Sequence, residues 1–234
     1  MKLEMYSTHA EKYDLVIRDN IYNAHFERPS LQAILGDLNG LNVLDLGCGS
    51  GVYAQYLLEH GAELVTCVDV SEEMIGIVSK KFSDKVVAYT QDIGLGLPEE
   101  PSEKFDVIIS PLVLHYIEDL DVVFKEASRV LKSGGYMAFS THHPFADYEC
   151  SKSGNYFERE AVFETWGTVG EPVEVEFYRR SLTEIMEAIT NNGLVVSQIS
   201  EGKVSDKVKT ISQESYDYLS KKPNFIFIKC EKRT

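Results

Sequence analysis

The chain has 234 residues, of which 44% are hydrophobic, and this length suits one domain with a full core better than two complete domains. Its formal net charge of −14 disfavours polynucleotide substrates, because sequence-independent binding to phosphate backbones needs a basic surface. The chain starts without a long apolar segment and contains no apolar run long enough to span a bilayer, so the sequence predicts a cytoplasmic protein with no membrane span.

Residues 1–39 form a polar, aromatic-rich segment before the first strand. The pattern is typical of helices, and its aromatic and histidine side chains are Tyr6, His9, Tyr13, Tyr22 and His25. In folds of alternating strands and helices, substrate-specific parts are usually grafted onto such additional segments. We therefore treat residues 1–39 as an accessory segment next to a core over residues 40–142.

The first strand runs directly into a glycine turn that opens a helix. Val43–Leu46 reads as a buried strand, and Gly47, Gly49 and Gly51 follow at alternate positions. Glycines permit the positive φ angles of a sharp turn and let a ligand approach the backbone, where the free N–H groups of the next helix point at it. Asp45 would repel a pyrophosphate, so the turn favours a cation-bearing nucleotide over a dinucleotide.

The next elements repeat the alternation of strand and helix. The helices predicted from apolar spacing and caps are Val52–Glu59, Glu72–Phe82 with Ser71 as N-cap, and Asp119–Leu131. The strands are Leu64–Asp69, Val86–Thr90, Phe105–Ser110 and Tyr136–Thr141, the last following a Gly134-Gly135 turn. Carboxylates end two of these segments, Asp69 after the second strand and Asp92 after the third.

The chain resembles the class I S-adenosylmethionine-dependent methyltransferases, because it has four of their sequence signals in the same order. These signals are Asp45–Gly51, Asp69, Asp92 and the fourth-strand motif Phe105–Ile117. The resemblance covers Leu41–Ser140 well and is most similar to the small-molecule enzymes related to quinone biosynthesis. It implies a Rossmann-like α/β fold, a seven-stranded mostly parallel sheet with helices on both faces and an antiparallel last strand. It also implies that residues 1–39 cover the cofactor as a helical lid.

The resemblance assigns S-adenosyl-L-methionine as the cofactor. Asp69 would hold the ribose hydroxyls, Asp92 and Ile93 the adenine, and Asp45 the methionine end through the turn. The cofactor-binding residues that it implies are Tyr13, Asp45, Gly47, Cys48, Gly49, Gly51, Asp69, Val70, Met74, Asp92, Ile93 and Ser110.

After the fifth strand, residues 143–180 interrupt the alternation with an aromatic-rich insertion that contains the only tryptophan, Trp166. Alternation over Val173–Phe177 predicts a half-exposed strand of a small β hairpin, which we interpret as a substrate cover. Residues 181–234 then complete the sheet. They contain a capping box at Ser181–Glu184 and two strands, Leu194–Ile199 and Phe225–Cys230.

His115 is the candidate catalytic residue, because it follows the fourth strand and its ordinary pKa suits proton transfer near neutrality. The alternative is that His115 shapes the loop or contacts the substrate without acting as a base. The candidate substrate contacts are His115, Tyr116, His143 and Trp166. His142 and His143 also suggest a metal, but adjacent residues of an extended segment point to opposite faces and no third ligand is evident. We therefore predict no metal site, and read the four cysteines as reduced thiols.

The aromatic insertion either cages a cationic amine or forms the hairpin's own small core. Arg179 and Arg180 either bind a substrate carboxylate or are solvated surface charges. The predicted function is methyl transfer from S-adenosylmethionine to an O, N or C nucleophile of a small molecule. The alternatives are methylation of protein or RNA, a non-catalytic cofactor-binding protein, and a nicotinamide oxidoreductase.

Overall fold

The computed structural model describes residues 4–233, so residues 1–3 of the predicted N-terminal segment and residue 234 lie outside it. The strands are β1 (Asn42–Leu46), β2 (Leu64–Asp69), β3 (Val87–Thr90), β4 (Phe105–Pro111), β5 (Leu131–His142), β6 (Glu160–Trp166), β7 (Val173–Arg179), β8 (Leu194–Ser200) and β9 (Phe225–Lys232). The α-helices are α1 (Ala10–Val16), α2 (Arg28–Leu35), α3 (Val52–Glu59), α4 (Glu72–Phe82), α5 (Leu120–Val130), α6 (Pro144–Asp147), α7 (Leu182–Asn191), α8 (Val208–Ile211) and α9 (Gln213–Leu219).

Seven of these strands form one sheet in the order β3-β2-β1-β4-β5-β9-β8. The first five are parallel, and β9 runs antiparallel to both of its neighbours. This confirms the predicted fold class. The strand order reverses between β1 and β4, and in open sheets of this kind ligands bind at the carboxyl ends of the strands beside such a point.

The helix caps and apolar faces follow the sequence pattern. The Ser71 side chain accepts a hydrogen bond from the N–H of Met74 at 3.1 Å, and Ser181 caps α7 in the same way through Glu184. The helical spacing of α5 places one apolar stripe against the sheet, and its buried residues are Leu120, Val123, Phe124, Ala127 and Val130. These caps and apolar faces could be predicted from the sequence because each involves residues that are close together in the chain.

Strand β5 begins earlier than predicted. The Gly134-Gly135 pair was expected to form a turn before a strand at Tyr136, yet the strand starts at Leu131. Leu131 pairs with Phe105 of β4, and the register then shifts before Val107 pairs with Tyr136. The irregularity absorbs the extra residues, so the glycines lie inside the strand.

The two strands β6 and β7 form the predicted hairpin. Its arginines correct the surface interpretation, since Arg179 and Arg180 are 1% and 5% exposed. Arg179 lies opposite Glu160 across the hairpin and forms an ion pair with it, and the Arg180 guanidinium donates to the carbonyl of Ile117. Both charges therefore fasten the insertion internally and to the loop after β4.

The N-terminal segment is packed into the molecule. Phe26, Leu31 and Leu35 are buried in the same hydrophobic cluster as Val43, Val107 and other residues on one face of the sheet. At the other end of the segment, Met5 and Tyr6 pack with Trp166 and residues of β7. Over residues 4–233 the structure contains no helix that is both long and apolar enough to cross a membrane.

Candidate active site

A cavity of about 690 Å³ opens at the carboxyl ends of the parallel strands. The glycine turn, the ends of β2 and β4 and the segment after β3 supply one part of its wall. The N-terminal segment and the hairpin supply the rest, through residues such as Tyr13, Glu27, Trp166 and Phe177. Its volume lies within the usual range for small-ligand sites, on the order of 300–1,000 Å³.

Two glycines of the turn, Gly47 and Gly49, have different surroundings. Gly47 has a φ of +72°, and a Cβ there would lie 2.2 Å from a methyl carbon of Val113, so this glycine is required by the protein itself. Gly49, with a φ of +52°, would meet nothing within 4 Å. Gly49 lines the cavity, so no packing within the protein accounts for a glycine at this position.

Asp69 is held at the cavity wall by backbone donors. Its carboxylate accepts from the N–H of Gly49 at 2.8 Å and from the N–H of Ser71 at 2.9 Å. Burial raises the pKa of Asp69, and these backbone hydrogen bonds oppose the shift. Asp92 similarly accepts from the N–H of Gly94 at 2.9 Å, beside Ile93 on the wall.

Asp45 lies behind the turn in an unusual state. It is 0% exposed, and neither carboxylate oxygen has a hydrogen-bond partner among the described residues. Burial raises the pKa of Asp45 well above its usual range, and the charges of Asp69 and Glu27 raise it further. A buried carboxylate without a partner is costly, and a cationic group on a ligand would relieve that cost.

The structure brings most of the predicted site residues to one cavity. Those on its wall are Tyr13, Gly47, Cys48, Gly49, Asp69, Val70, Asp92, Ile93, His115, Tyr116 and Trp166. Those outside its lining are Asp45, Gly51, Met74, Ser110 and His143.

Four of these five residues are engaged elsewhere, whereas Asp45 is the buried carboxyl described above. Gly51 is the residue before α3, and a Cβ there would lie 2.7 Å from the Phe82 ring. Met74 is buried within α4, and the Ser110 hydroxyl donates to the carbonyl of Leu46 at 3.2 Å. His143 accepts from the N–H of Phe145 and lies 3.1 Å from a carboxylate oxygen of Glu201.

His142 lies on the cavity wall, whereas His143, which was predicted to contact the substrate, does not. Its ring stacks on His115 with centroids 3.8 Å apart and an interplanar angle of 11°. His115 is 3% exposed, and burial, followed by the charges of His142 and Arg180, lowers the pKa of His115 well below 6.5. No group of three or more metal-ligating side chains occurs among the residues described.

Glu27 is another wall residue that the sequence did not indicate. It ends a π-helical turn, Asn23–Glu27, and is 2% exposed. The hydroxyls of Tyr53 and Ser140 donate to its carboxylate, at 3.1 Å and 2.7 Å for the shorter contacts. A glutamate in a polar helical segment gives no signal of burial, although π-helical turns are frequent at functional sites.

Comparison with known proteins shows which proteins the chain is similar to. Residues 44–139 match the model of a methyltransferase domain. A putative S-adenosylmethionine-dependent methyltransferase from Listeria monocytogenes has 29% identity and a TM-score of 0.76, over 89% of this chain and 97% of that one. A second such enzyme, from Mesorhizobium loti, has 26% identity and a TM-score of 0.71, over 88% and 97% of the two chains. Together with the fold, these matches support a class I S-adenosylmethionine-dependent methyltransferase.

This methyltransferase is therefore an enzyme whose cofactor is S-adenosyl-L-methionine. Among curated proteins, the ubiquinone biosynthesis O-methyltransferase of Coxiella burnetii is 33% identical over 107 residues, which cover 44% of this chain and 44% of that protein. The match spans less than half of either chain. The open face of Gly49 and the fixed Asp69 carboxylate on the cavity wall fit a nucleoside, and the unpartnered Asp45 lies buried behind the turn.

Proposed function

We propose that this methyltransferase acts on a small molecule held between the N-terminal segment and the hairpin. The observation that carries the proposal is the continuity of one cavity from the glycine turn to Trp166 and Phe177. A site covered from both sides by Tyr6, Tyr13 and the hairpin suits a small acceptor better than a macromolecular chain. The acidic composition favours the same interpretation.

In this proposal the cofactor occupies the part of the cavity near the turn. Asp69 would accept from the ribose hydroxyls, Asp92 and Ile93 would contact the adenine, and Gly47 and Gly49 would let the ligand approach the backbone. Asp45, which lies behind the turn and outside the cavity lining, would act on the methionine end through the turn. The cofactor supplies a methyl carbon activated by a sulfonium, so the task of the protein is alignment and exclusion of water.

His115 and His142 would then face the acceptor. Because the pKa of His115 is lowered well below 6.5, its imidazole is neutral at physiological pH and keeps a free lone pair, although the same shift makes it a weaker base than an ordinary histidine. The ring is held by the His142 stack and by contact with Tyr116. We propose His115 as the proton acceptor for a hydroxyl or amine nucleophile.

Two acceptor classes are supported by separate observations. The O-methyltransferase relative supports a hydroxyl acceptor. The hairpin end of the cavity supports an amine, because Trp166 and Phe177 lie there with the carboxylates of Asp147 and Glu164. The donors that Glu164 accepts from, the Cys150 thiol and the Trp166 indole, are neutral and leave its charge uncompensated.

The test is transfer of a labelled methyl group from S-adenosylmethionine into a cell extract separated into small-molecule, protein and RNA fractions. Label in the small-molecule fraction supports the proposal, and label in protein or RNA alone contradicts it. A panel of phenols and amines then distinguishes the two acceptor classes.

With an acceptor in hand, Trp166→Ala should lower kcat/KM for the acceptor about tenfold or more through lost aromatic contact, while the Kd for the cofactor changes less than about twofold. Phe163→Ala is the matched control, since Phe163 lies on the same strand but is 56% exposed and outside the cavity lining. Equal effects of the two substitutions would show that the hairpin does not contact the acceptor.

A further inference from the structure

Glu27 occupies a junction between the two parts of the cavity. Its carboxylate reaches from the Tyr53 hydroxyl on α3 to the Ser140 hydroxyl on β5. The same Ser140 hydroxyl accepts from the N–H of Leu112 at 3.0 Å, and Leu112 is a cavity residue directly after β4. Glu27 is thus fixed at the end of β4, where the turn-side and hairpin-side walls meet.

The register of the sheet shows where Glu27 lies relative to Asp45 along the direction of the strands. Asp45 pairs with Ile109 of β4, which pairs with Ala138 of β5. Ser140 pairs with Pro111, two positions further toward the carboxyl edge. Glu27 therefore lies beyond Asp45, toward the segment that carries His115.

The backbone of Leu112, at the end of β4 where Glu27 is fixed, has an unusual conformation. Its φ of +54° is in the left-handed region, which is unfavourable for a leucine. Such conformations persist where surrounding structure enforces them, and they concentrate at functional sites. Here the hydrogen bond to Ser140, the residue that also binds Glu27, is part of that enforcement.

The charge of Glu27 is poorly compensated. Its two hydrogen-bond donors are neutral hydroxyls, and the titratable groups that interact with it are Tyr13 of α1, Tyr53 of α3, Asp45 of β1 and the neighbouring Arg28. Burial raises the pKa of Glu27 to about 7, while those hydrogen bonds and Arg28 act in the opposite direction. The carboxyl therefore changes charge near neutral pH.

Methyl transfer changes the charge of the bound nucleoside at one atom. The nucleophile forms a bond to the methyl carbon, the carbon–sulfur bond breaks, and its electron pair returns to sulfur. The sulfonium becomes a neutral thioether, whereas the ammonium and carboxylate of the methionine end are unchanged. A carboxylate near the sulfur thus distinguishes donor from product, and one near the ammonium does not.

We propose that Glu27 recognises the positive charge at the donor sulfur, so that the site binds the sulfonium donor more tightly than the thioether product. The proposal rests on the proposed placement of the cofactor at the glycine turn. It adds a residue of the N-terminal segment as the determinant of selectivity for the donor over the product. Release of the product is then favoured by the loss of charge that the reaction itself causes.

The test is calorimetric titration of the full-length protein with S-adenosylmethionine and S-adenosylhomocysteine from pH 6 to pH 8. The ionised fraction of a carboxyl with a pKa of about 7 rises from roughly 0.09 to roughly 0.9 over this interval, so the ratio of product Kd to donor Kd should rise up to about tenfold. Asp45 and Asp69 are assigned to the methionine end and to the ribose, which are the same in both ligands. Their contributions therefore cancel in the ratio of the two Kd values. His115 stays neutral, and Tyr13 and Tyr53 have pKa values raised well above 10.

Substitutions make the assignment specific. Glu27→Gln should make the ratio independent of pH, and Glu27→Asp should keep part of the pH dependence. Glu149→Gln, which removes a carboxylate from the solvent-exposed rim of the same cavity, should leave the ratio as in the wild type. Sinefungin, which carries a protonated amine in place of the methyl sulfonium, should follow the donor.

A wild-type ratio that stays constant with pH, or a Glu27→Gln variant that weakens both ligands equally, would overturn the proposal and leave Glu27 a structural residue. Both outcomes are compatible with the proposed placement of the cofactor, because both ligands still bind. If neither ligand binds the wild type at any pH, the placement of the cofactor fails and this proposal fails with it.

Discussion

At the scale of single residues, Glu27 is a buried carboxyl whose hydrogen-bond donors are neutral hydroxyls. The sign of its contribution to stability follows from its pKa, which is raised from 4.5 to about 7 on folding. The folded protein holds a proton that the unfolded chain has released, so the stabilisation is present below pH 4.5 and is lost as the pH rises through about 7.

We therefore predict that Glu27→Gln stabilises this methyltransferase more at pH 8 than at pH 5. The expected difference in the free energy of unfolding is about 2–3 kcal/mol, from a shift of about two pKa units at roughly 1.4 kcal/mol each. Urea unfolding of both proteins at the two pH values measures it. An equal effect at both pH values would mean that the Glu27 carboxyl does not titrate between them.

The histidine pair shows what single residues reveal before the fold is known. The sequence placed both His142 and His143 after the fifth strand and predicted that they point to opposite sides. It did not reveal which one faces the cavity, because that depends on where α6 begins, and His143 is taken up as its cap. Likewise, the burial of Arg179 and Arg180 depends on partners distant in sequence, Glu160 and Ile117.

At the scale of elements, the glycine turn separates the needs of the fold from those of the ligand. We predict that Gly47→Ala destabilises the protein by about 2–5 kcal/mol, because a positive φ and overpacking against Val113 both oppose it. Gly49→Ala should cost only about 1–2 kcal/mol, from the positive φ alone. It should nevertheless weaken binding of S-adenosylmethionine about tenfold or more, since its methyl group projects into open space beside the cavity.

Thermal unfolding and calorimetric titration of the two variants provide the measurement. The free energy of unfolding should fall most for Gly47→Ala, and at a temperature where both variants are folded, the loss of affinity should be clear for Gly49→Ala. Unchanged affinity of the Gly49→Ala variant would show that the ligand does not approach this part of the turn.

The elements themselves were largely predictable from the sequence. The strand–turn–helix around Gly47, the Ser71 and Ser181 caps and the stripe of α5 are all local patterns, and each has the expected structure. The start of β5 was not, because its first residue joins the sheet through pairing with Phe105, which lies far away in the chain. The same is true of Glu27, whose burial comes from contacts with α3 and β5.

At the scale of the whole molecule, the N-terminal segment and the hairpin form one cover over the sheet. Tyr6 donates to or accepts from Tyr116 at 2.7 Å, and its backbone carbonyl accepts from Ser71, which ties the segment to the loop after β4 and to α4. Lys12 forms an ion pair with Glu171 in the turn of the hairpin. The cavity is therefore enclosed by parts that belong to distant regions of the chain yet depend on one another.

This interdependence predicts a single cooperative unfolding transition. Phe26 is 1% exposed in the core beneath the N-terminal segment, so Phe26→Ala should lower the free energy of unfolding by about 3–5 kcal/mol. Leu15→Ala, at a residue that is 68% exposed in the same segment, should change it by less than about 0.5 kcal/mol.

Trp166, the only tryptophan, reports on the hairpin by fluorescence, while circular dichroism reports on the whole chain. In Phe26→Ala both signals should shift to the same lower denaturant midpoint. A fluorescence midpoint that stayed at the wild-type value would show that the hairpin unfolds independently, and the cover would then be two separate parts.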